Sequence, residues 1–331
     1  MMKMEDAIEN TPQQDQSGKK PARFRDYIRI ARPDHWIKNL FIFPGFFAAL
    51  VLTSHRAIRP VLDPLLALVA TSLVASANYV INEWLDAKFD RFHPVKKNRP
   101  VVVADLKAKF VYLEYALLAI AGIAISFSIN RLFALMALWL LAMGVVYNVE
   151  PLRTKDVPFL DVLSESVNNM IRLLMGWFVI AATTLPPCSI ILGYWMCGAF
   201  LMATKRLAEY RMIGDPERAG LYRKSFQYYS EVSLVVSSFC YAIIATFLIG
   251  AFLIKYRVEL LIAMPFLIAL FTMYLAIAYK PDSAAQKPEK LYREKWLMIL
   301  SIVFVIAIVI GGVIHLPWLS IFTGTELIQL R

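Results

Sequence analysis

A series of long apolar stretches, separated by short charged connections, most constrains what this chain can fold into. About twenty apolar residues cross the hydrocarbon core of a bilayer, and only helices of that length satisfy their own backbone in lipid. Nine stretches meet this requirement, at about 39–54, 63–82, 110–129, 131–148, 166–184, 188–204, 232–254, 258–279 and 296–315. The chain is also 59% hydrophobic and only 18% charged, which is unusual for a soluble protein of 331 residues. We therefore predict an all-α, polytopic membrane protein with about nine transmembrane helices.

The two ends of the chain differ from this apolar region. Residues 1–22 are polar and mixed in charge, which predicts a disordered tail and not a cleaved signal peptide. The membrane domain is predicted to cover 23–318, and 319–331 form a short C-terminal tail. The basic stretch "ARFRDYIRIARPDHWIKN" at the start of the domain predicts an amphipathic helix on the membrane surface.

The formal net charge of +10 is distributed unevenly over the connections. Nearly all Lys and Arg residues lie in the N-terminal segment and in 84–109, 149–165, 205–230 and 280–295. By the positive-inside rule, these segments face the cytoplasm and the C-terminus lies outside. The basic character therefore reflects orientation in the inner (cytoplasmic) membrane, and we predict no nucleic-acid partner.

An acidic motif occurs where the second span ends, in "NYVINEWLDAKFDRFHPVKKNRP" (78–100). Asn82, Asp86 and Asp90 recur every fourth residue, so a continuing helix places all three side chains on one face. Three oxygen-bearing groups of this kind can hold Mg²⁺, and metal ions can clamp a diphosphate as it leaves. An ordinary solvated helix end has the same spacing. Carboxylates beside a membrane interior are costly, which favours the functional interpretation.

Other charged side chains are predicted on the same side of the membrane as the acidic motif. They could bind phosphate oxygens, or they could simply orient the chain in the membrane. The candidates for substrate binding are Lys38, Lys96, Arg99, Arg153, Lys155, Asp161, Arg172, Lys205 and Arg206, with Glu209 beside them. Arg172 is a full charge inside an apolar span, so it faces either an aqueous cavity or a structural ion-pair partner. Lys38 reaches either lipid headgroups or the site.

The motifs resemble those of a known family. "NEWLDAKFD" is similar to the NDxxDxxxD motif of UbiA-type intramembrane prenyltransferases, and the resemblance covers roughly 25–315. More narrowly, "RPDHWIKN", "DRFHPVKKNRP" and "KRLAEYR" resemble the decaprenyl-phosphate phosphoribosyltransferase branch. Two features depart from that branch. Glu83 replaces the usual Asp, and "EPLRTKDVPFLDV" is closer to the PxRxK loop of members that prenylate aromatic or lipid acceptors.

The resemblance implies helices around a central cavity that opens to the cytoplasmic face. It implies that Mg²⁺ is the cofactor, with Asn82, Asp86 and Asp90 as its ligands, and that Asp86, Asp90 and Glu209 are catalytic. The implied partners are a polyprenyl lipid and a diphosphate-bearing co-substrate.

Three functions remain open at this stage. The first is transfer of a 5-phosphoribosyl group from phosphoribosyl pyrophosphate to a polyprenyl phosphate. The second is prenyl transfer from a polyprenyl diphosphate to an aromatic or lipid acceptor. The third is a lipid carrier or transporter, although such a protein would more naturally place its charges near mid-membrane. The sequence leaves homo-oligomerisation open.

Overall fold

The structure, a computed structural model, describes residues 19–53, 59, 61–281, 283–286 and 288–322, with no side-chain description at 288–290 and 320–322. The α-helices of this part of the chain are α1 (Phe24–Ile30), α2 (Phe43–Leu52), α3 (Leu62–Asp90), α4 (Pro100–Val103), α5 (Ala108–Ile129), α6 (Arg131–Asn148), α7 (Leu160–Ile180), α8 (Cys188–Ile213), α9 (Pro216–Tyr222), α10 (Glu231–Tyr256), α11 (Met264–Ala278) and α12 (Lys295–Val313). Short 3₁₀ segments lie at Pro33–Ile42, Lys96–Asn98, Thr154–Asp156, Lys224–Gln227, Val258–Ala263, Ala284–Gln286, Pro288–Arg293 and Pro317–Phe322. The predicted all-α membrane class is confirmed.

Eight helical segments within the described residues are long and apolar enough to cross a membrane. They comprise the stretch from α1 through α2, then α3, α5, α6, α8, α10, the stretch Val258–Ala278 and α12. The ninth expected span, 166–184, corresponds to α7. This helix has 21 residues, but charged and amide side chains are spread along it, so it contains no 18-residue stretch as apolar as those of the eight spans. Length and composition therefore support eight spans, and the count of nine stays a prediction.

Helix α7 lies at the centre of the bundle, which explains its composition. Fifteen of its 21 residues are buried, including Arg172. By contrast, only 17% of the apolar window of α12 is buried, although its mean hydropathy is 2.8. Apolar side chains on the outer helices are therefore exposed to the bilayer, where they are stable without protein partners. Polar side chains on α7 are instead enclosed by neighbouring helices.

Helices α2 and α7 approach each other closely through two glycines. A Cβ at Gly45 would lie 1.8 Å from the Leu173 carbonyl oxygen, and one at Gly176 would lie 1.9 Å from the Ile42 carbonyl oxygen. Small residues allow such backbone contact between membrane helices. The contact places the 3₁₀ segment Pro33–Ile42 beside the middle of α7.

The start of the domain differs from the predicted single amphipathic helix. It is divided at Arg32, which has a positive φ of 51° and precedes Pro33. Residues 19–22, expected in the disordered tail, are ordered: β1 (Lys20–Pro21) pairs in parallel with β2 (Ala104–Asp105). Residues 1–18 of the predicted tail, and most of the predicted C-terminal tail, lie outside the described residues.

Helix α3 extends beyond the hydrocarbon core. Its 29 residues span about 44 Å at 1.5 Å per residue, against roughly 30 Å of hydrocarbon. The last turns, which carry the acidic motif, therefore reach the same end of the bundle as the connections α3–α5, α6–α7, α8–α10 and α11–α12. We call this end the charged face. The expected spans 110–129 and 131–148 correspond to α5 and α6, which are joined by the single residue Asn130; its side chain caps α6 by accepting from the Phe133 amide at 2.8 Å.

Candidate active site

A cavity of about 960 Å³ lies between α3, α6, α7, α8 and the segment Pro33–Ile42. Its lining within the described residues contains ten Lys or Arg side chains and five Asp or Glu side chains. Since the two signs do not balance, the cavity has an excess of positive charge. Such a cavity is suited to polyanionic ligands, because the low-dielectric walls strengthen charge interactions.

Two residues of the acidic motif meet on the cavity wall. Asn82 and Asp86 both line the cavity, and the Asn82 amide donates to Asp86 Oδ2 at 3.2 Å and to the Asn148 side chain. Asp90, in contrast, is absent from the lining, is 1% exposed and accepts a hydrogen bond from Arg99. The structure thus brings the first two predicted metal ligands together, while the third holds the cavity-lining Arg99 in place.

The acidic end of α3 offers the oxygen donors that Mg²⁺ prefers. Asn82 and Asp86 supply amide and carboxylate oxygens, and the intervening Glu83 has a buried Oε1 that accepts no hydrogen bond from any residue that the structure describes. No group of three His, Cys, Asp or Glu side chains in the described part of the chain is placed to enclose a metal ion. The amide and carboxylate oxygens of Asn82 and Asp86 suit Mg²⁺, which usually also takes water and substrate phosphate oxygens as ligands.

Glu83 is anchored by a residue that our sequence analysis did not single out. Arg32 donates to Glu83 Oε2 from Nε at 2.9 Å and from Nη2 at 2.6 Å, and Arg32 also lines the cavity. The positive φ of Arg32, which is rare for a residue with a side chain, turns the chain at this point. In the sequence, Arg32 could have been identified as a site residue because it is the first residue of the motif "RPDHWIKN".

The loop between α6 and α7 reaches Asp86 from the other side. Arg153 Nη2 donates to Asp86 Oδ1 at 3.1 Å, and the Lys155 ammonium donates to the same oxygen. Neither cation lines the main cavity; both line a small adjoining pocket that Asp86 shares. Burial lowers the pKa of Lys155 to about 8, although the Asp86 carboxylate opposes this effect. The two predicted phosphate-binding residues, Arg153 and Lys155, therefore contact Asp86, which lines the cavity, and do not line the main cavity themselves.

Lys96 and Glu209 form an ion pair on the opposite wall. The Lys96 ammonium also contacts the Tyr222 hydroxyl, which donates to Glu209 at 3.0 Å. His93 Nδ1 accepts from the amides of Val95 and Lys96 at 3.1 Å, and its Nε2 lies 3.3 Å from Glu209. Burial lowers the pKa of His93. It also lowers the pKa of Lys96 to about 8, against the opposing influence of Glu209.

Arg206 is held deeply at the end of α8. It is 1% exposed, and it donates to Asp161 Oδ2 at 3.1 Å, to the Tyr147 hydroxyl at 3.0 Å and to Glu165. Asp161 is fully buried and does not line the cavity; the Tyr229 hydroxyl donates to it at 2.6 Å. Arg206 therefore faces the cavity, whereas the predicted substrate-binding Asp161 supports it from behind.

The remaining predicted residues, Lys38, Arg172 and Lys205, also line the cavity. Lys205 lies 3.9 Å from Glu165. The Lys38 ammonium contacts His35 Nδ1 at 3.1 Å. Arg172 lines the cavity and does not form a structural ion pair with any described residue, as its partners are the side chain of Asn39 and groups on its own helix.

Sequence reasoning also missed four residues that connect these clusters: Tyr147, Asn148, Tyr222 and Arg223. Arg223 Nη1 donates to the Tyr147 hydroxyl at 3.1 Å and lies 3.8 Å from Asp161. Its basic loop was recognised as part of the charged face, but its contact partners come from distant segments. No local spacing identifies such contacts.

Comparisons with known proteins identify relatives by sequence and by fold. A sequence profile of the UbiA prenyltransferase family matches residues 41–299. Nodulation protein NoeC of Azorhizobium caulinodans is 32% identical over 223 residues, which cover 66% of this chain and 69% of that protein. A decaprenyl-phosphate phosphoribosyltransferase of Mycobacterium tuberculosis is 29% identical over 210 residues, which cover 62% of this chain and 67% of that protein. A UbiA homolog from Archaeoglobus fulgidus, solved with DMAPP and Mg²⁺, has a TM-score of 0.66 at 19% identity, covers 88% of this chain and is itself covered completely. This last similarity shows the fold.

Proposed function

Because the chain belongs to the UbiA prenyltransferase family and is thus a membrane-embedded transferase and not a carrier, we propose that it transfers a 5-phosphoribosyl group from phosphoribosyl pyrophosphate to a polyprenyl phosphate, releasing diphosphate. The observation that carries this proposal is the excess of cations in the cavity, ten against five carboxylates. The two substrates together bear a diphosphate, a sugar 5-phosphate and a lipid phosphate. A prenyl diphosphate with a neutral acceptor would need fewer cations.

The phosphoribosyltransferase relative supports the same reaction. Its similarity covers about two thirds of each chain, and its name states the substrate class. The motifs "DRFHPVKKNRP" and "KRLAEYR" include Lys96, Arg99, Lys205 and Arg206, all of which line the cavity. The positive-inside rule predicts that the charged face lies on the cytoplasmic side of the inner membrane, where a soluble sugar phosphate would have access to it.

Bond changes in the proposed reaction are simple. A phosphate oxygen of the lipid forms a bond to C1 of the ribose, while the bond from C1 to the diphosphate breaks and its electron pair leaves with the diphosphate. Mg²⁺ held by Asn82 and Asp86 would supply charge neutralisation for the leaving diphosphate. Mg²⁺ also accompanies DMAPP in the Archaeoglobus fulgidus homolog.

The protein's own residues orient and stabilise these groups. Lys96, Arg99, Lys205 and Arg206 all line the cavity, where they donate to phosphate oxygens. Asp90 fixes Arg99, and Glu209 fixes Lys96, so each donor is held before substrate arrives. Pre-positioned donors need little reorganisation as negative charge develops on the leaving group.

Prenyl transfer to an aromatic or lipid acceptor is the second candidate. It is supported by the contact of Arg153 and Lys155, from the "EPLRTK" loop, with Asp86. It is also supported by the prenyl diphosphate in the Archaeoglobus fulgidus homolog.

Purified protein in detergent distinguishes the two reactions. With Mg²⁺, ribose-labelled phosphoribosyl pyrophosphate and decaprenyl phosphate, we expect a labelled lipid and one diphosphate per product. Omitting either Mg²⁺ or the lipid should abolish the product. If no labelled lipid forms, and a prenyl diphosphate with an aromatic or lipid acceptor is turned over instead, the second candidate is correct.

A further inference from the structure

Arg172 is a buried charge with only neutral partners. It is 8% exposed and lines the cavity. Its Nε donates to Asn39 Oδ1 at 3.1 Å, and its Nη1 donates to the Asn168 carbonyl at 3.1 Å and lies 3.5 Å from Asn169 Oδ1. Among the described residues, no carboxylate comes within 4 Å of it.

Two other cations in the same cavity are paired with carboxylates. Lys96 pairs with Glu209, and Arg206 pairs with Asp161 and Glu165. A buried guanidinium without a counter-ion is strongly destabilising. Its Nη2 has no acceptor in the described part of the chain, and the nearby Asn168 Oδ1 is buried without a donor. The arrangement is therefore incomplete until an anion binds.

The position of Arg172 separates it from the acidic motif. Its partner Asn39 donates to the Ser72 hydroxyl at 2.9 Å, which fixes the level of the contact along α3. Ser72 precedes Asp86 by 14 residues, or about 20 Å along the helix axis. The long side chain of Arg172 points back toward the charged face, since Nη1 bonds the carbonyl one turn earlier in α7. An anionic group bound at the level of Asn39 would therefore lie apart from a diphosphate held at Asp86.

We propose that Arg172, with Asn39 and Asn169, forms a subsite for a phosphate monoester. This inference rests on the proposed function, in which two groups of this kind occur: the phosphate of the lipid acceptor and the 5-phosphate of the sugar donor. A planar guanidinium with free N–H groups matches phosphate oxygens well. Ile37 lies two residues before Asn39 and Phe41 two residues after it; they are 58% and 38% exposed, and both line the cavity. They provide apolar surface for an isoprenoid chain beside the subsite.

Direct binding to the full chain in detergent, without Mg²⁺ and without a second substrate, tests the subsite independently of turnover. The probes are decaprenyl phosphate, decaprenol and ribose 5-phosphate, each measured by native mass spectrometry. We expect Arg172→Gln to lose at least about tenfold in affinity for a phosphate-bearing probe, since a charge-assisted hydrogen bond is lost. Affinity for decaprenol should stay unchanged. Arg257→Gln, which removes an arginine bonded to Gly311 and Gly312 carbonyls away from the cavity, is the matched control.

Asn39→Asp tests the same subsite while keeping Arg172. The substitution is nearly isosteric and places a carboxylate 3.1 Å from Arg172 Nε, so it should neutralise the guanidinium and stabilise the fold. We expect the same loss of phosphate binding as in Arg172→Gln. This variant also decides the matter if Arg172→Gln does not fold.

The outcomes separate the two phosphate sources. A loss for decaprenyl phosphate assigns the subsite to the lipid, and a loss for ribose 5-phosphate assigns it to the sugar donor. Unchanged affinity for both probes in folded Asn39→Asp overturns the subsite. If the wild-type protein makes no labelled lipid yet still prefers decaprenyl phosphate to decaprenol through Arg172, the proposed reaction is wrong and the subsite stands.

Discussion

Lys96 and Glu209 lie 113 residues apart in the sequence and form an ion pair on the cavity wall. The Tyr222 hydroxyl donates to Glu209 at 3.0 Å, and the Lys96 ammonium lies 4.5 Å from the centre of the Tyr222 ring. Burial outweighs the attraction of Glu209, so the pKa of Lys96 falls to about 8. Lys96 is therefore a cation that loses its proton within an accessible pH range.

The first prediction follows from this pKa. Because the pKa of Lys96 is lowered, the ammonium is present below about pH 8 and becomes a neutral amine above it. Binding of an anionic donor should weaken as the charge disappears. We expect kcat/KM for the diphosphate substrate to fall above about pH 8, as measured by initial rates from pH 6 to 10, since this ratio reports groups in the free enzyme.

Lys96→Arg is the matched control, because a guanidinium stays charged over this range. We expect the decline to move to higher pH and to become shallower. It should not vanish, since the pKa of Lys155 is also about 8. An identical pH profile in wild type and Lys96→Arg would contradict the role assigned to Lys96.

The pattern along single helices was predictable from the sequence. Apolar length identified the membrane helices, and the four-residue spacing placed Asn82 and Asp86 on one face. Both signals are local, since they depend on helix periodicity and on the thickness of a bilayer. The close pair at Asn130, between α5 and α6, was predictable for the same reason.

Partners across the bundle were not predictable. Spacing gave Asp90 the same role as Asp86, but its orientation toward Arg99 depends on where the loop after α3 returns. Asp161 similarly pairs with Arg206, which is 45 residues away. In a central helix such as α7, enclosure by protein permits polar residues, so hydropathy does not distinguish a spanning helix from a surface one.

Asp86 and Asp90 should therefore differ in their effect on magnesium dependence. We expect Asp86→Asn to reduce kcat/KM by about 100-fold or more and to raise the Mg²⁺ concentration needed for half-maximal rate, because a ligand oxygen loses its charge. Asp90→Asn should instead raise the donor KM by releasing Arg99, with an unchanged Mg²⁺ requirement. Magnesium titrations of both variants measure the difference. An equal shift in both would restore Asp90 as a ligand.

Asp161 should affect stability more than substrate binding. Asp161→Ala removes one of the carboxylates paired with the 1% exposed Arg206 and leaves Glu165 and Glu209, so the cost is at most the roughly 3–5 kcal/mol of a fully broken buried pair. We expect a clear loss of thermal stability in detergent, with little change in the KM of the protein that remains folded. Asp105→Ala, at an exposed carboxylate in β2, should change stability by no more than about 0.5 kcal/mol. A large rise in KM without destabilisation would place Asp161 in the substrate site after all.

The close contact of α2 with α7 should be essential to the inner subsite. In Gly176→Ala, the new Cβ would lie 1.9 Å from the Ile42 carbonyl oxygen, and rigid backbone on both sides must separate. We expect a loss of about 1–3 kcal/mol in stability, typical of overpacking. Because Asn39 lies in the segment that moves, the preference for decaprenyl phosphate over decaprenol should also weaken. Gly250→Ala in α10 is the matched control: among the described residues, nothing apart from the neighbouring backbone of α10 lies within 4 Å of the added Cβ, so the higher helix propensity of alanine should stabilise by up to about 1 kcal/mol. Thermal unfolding and lipid binding of the two variants measure both effects, and equal behaviour would mean that the glycine contact does not position Asn39.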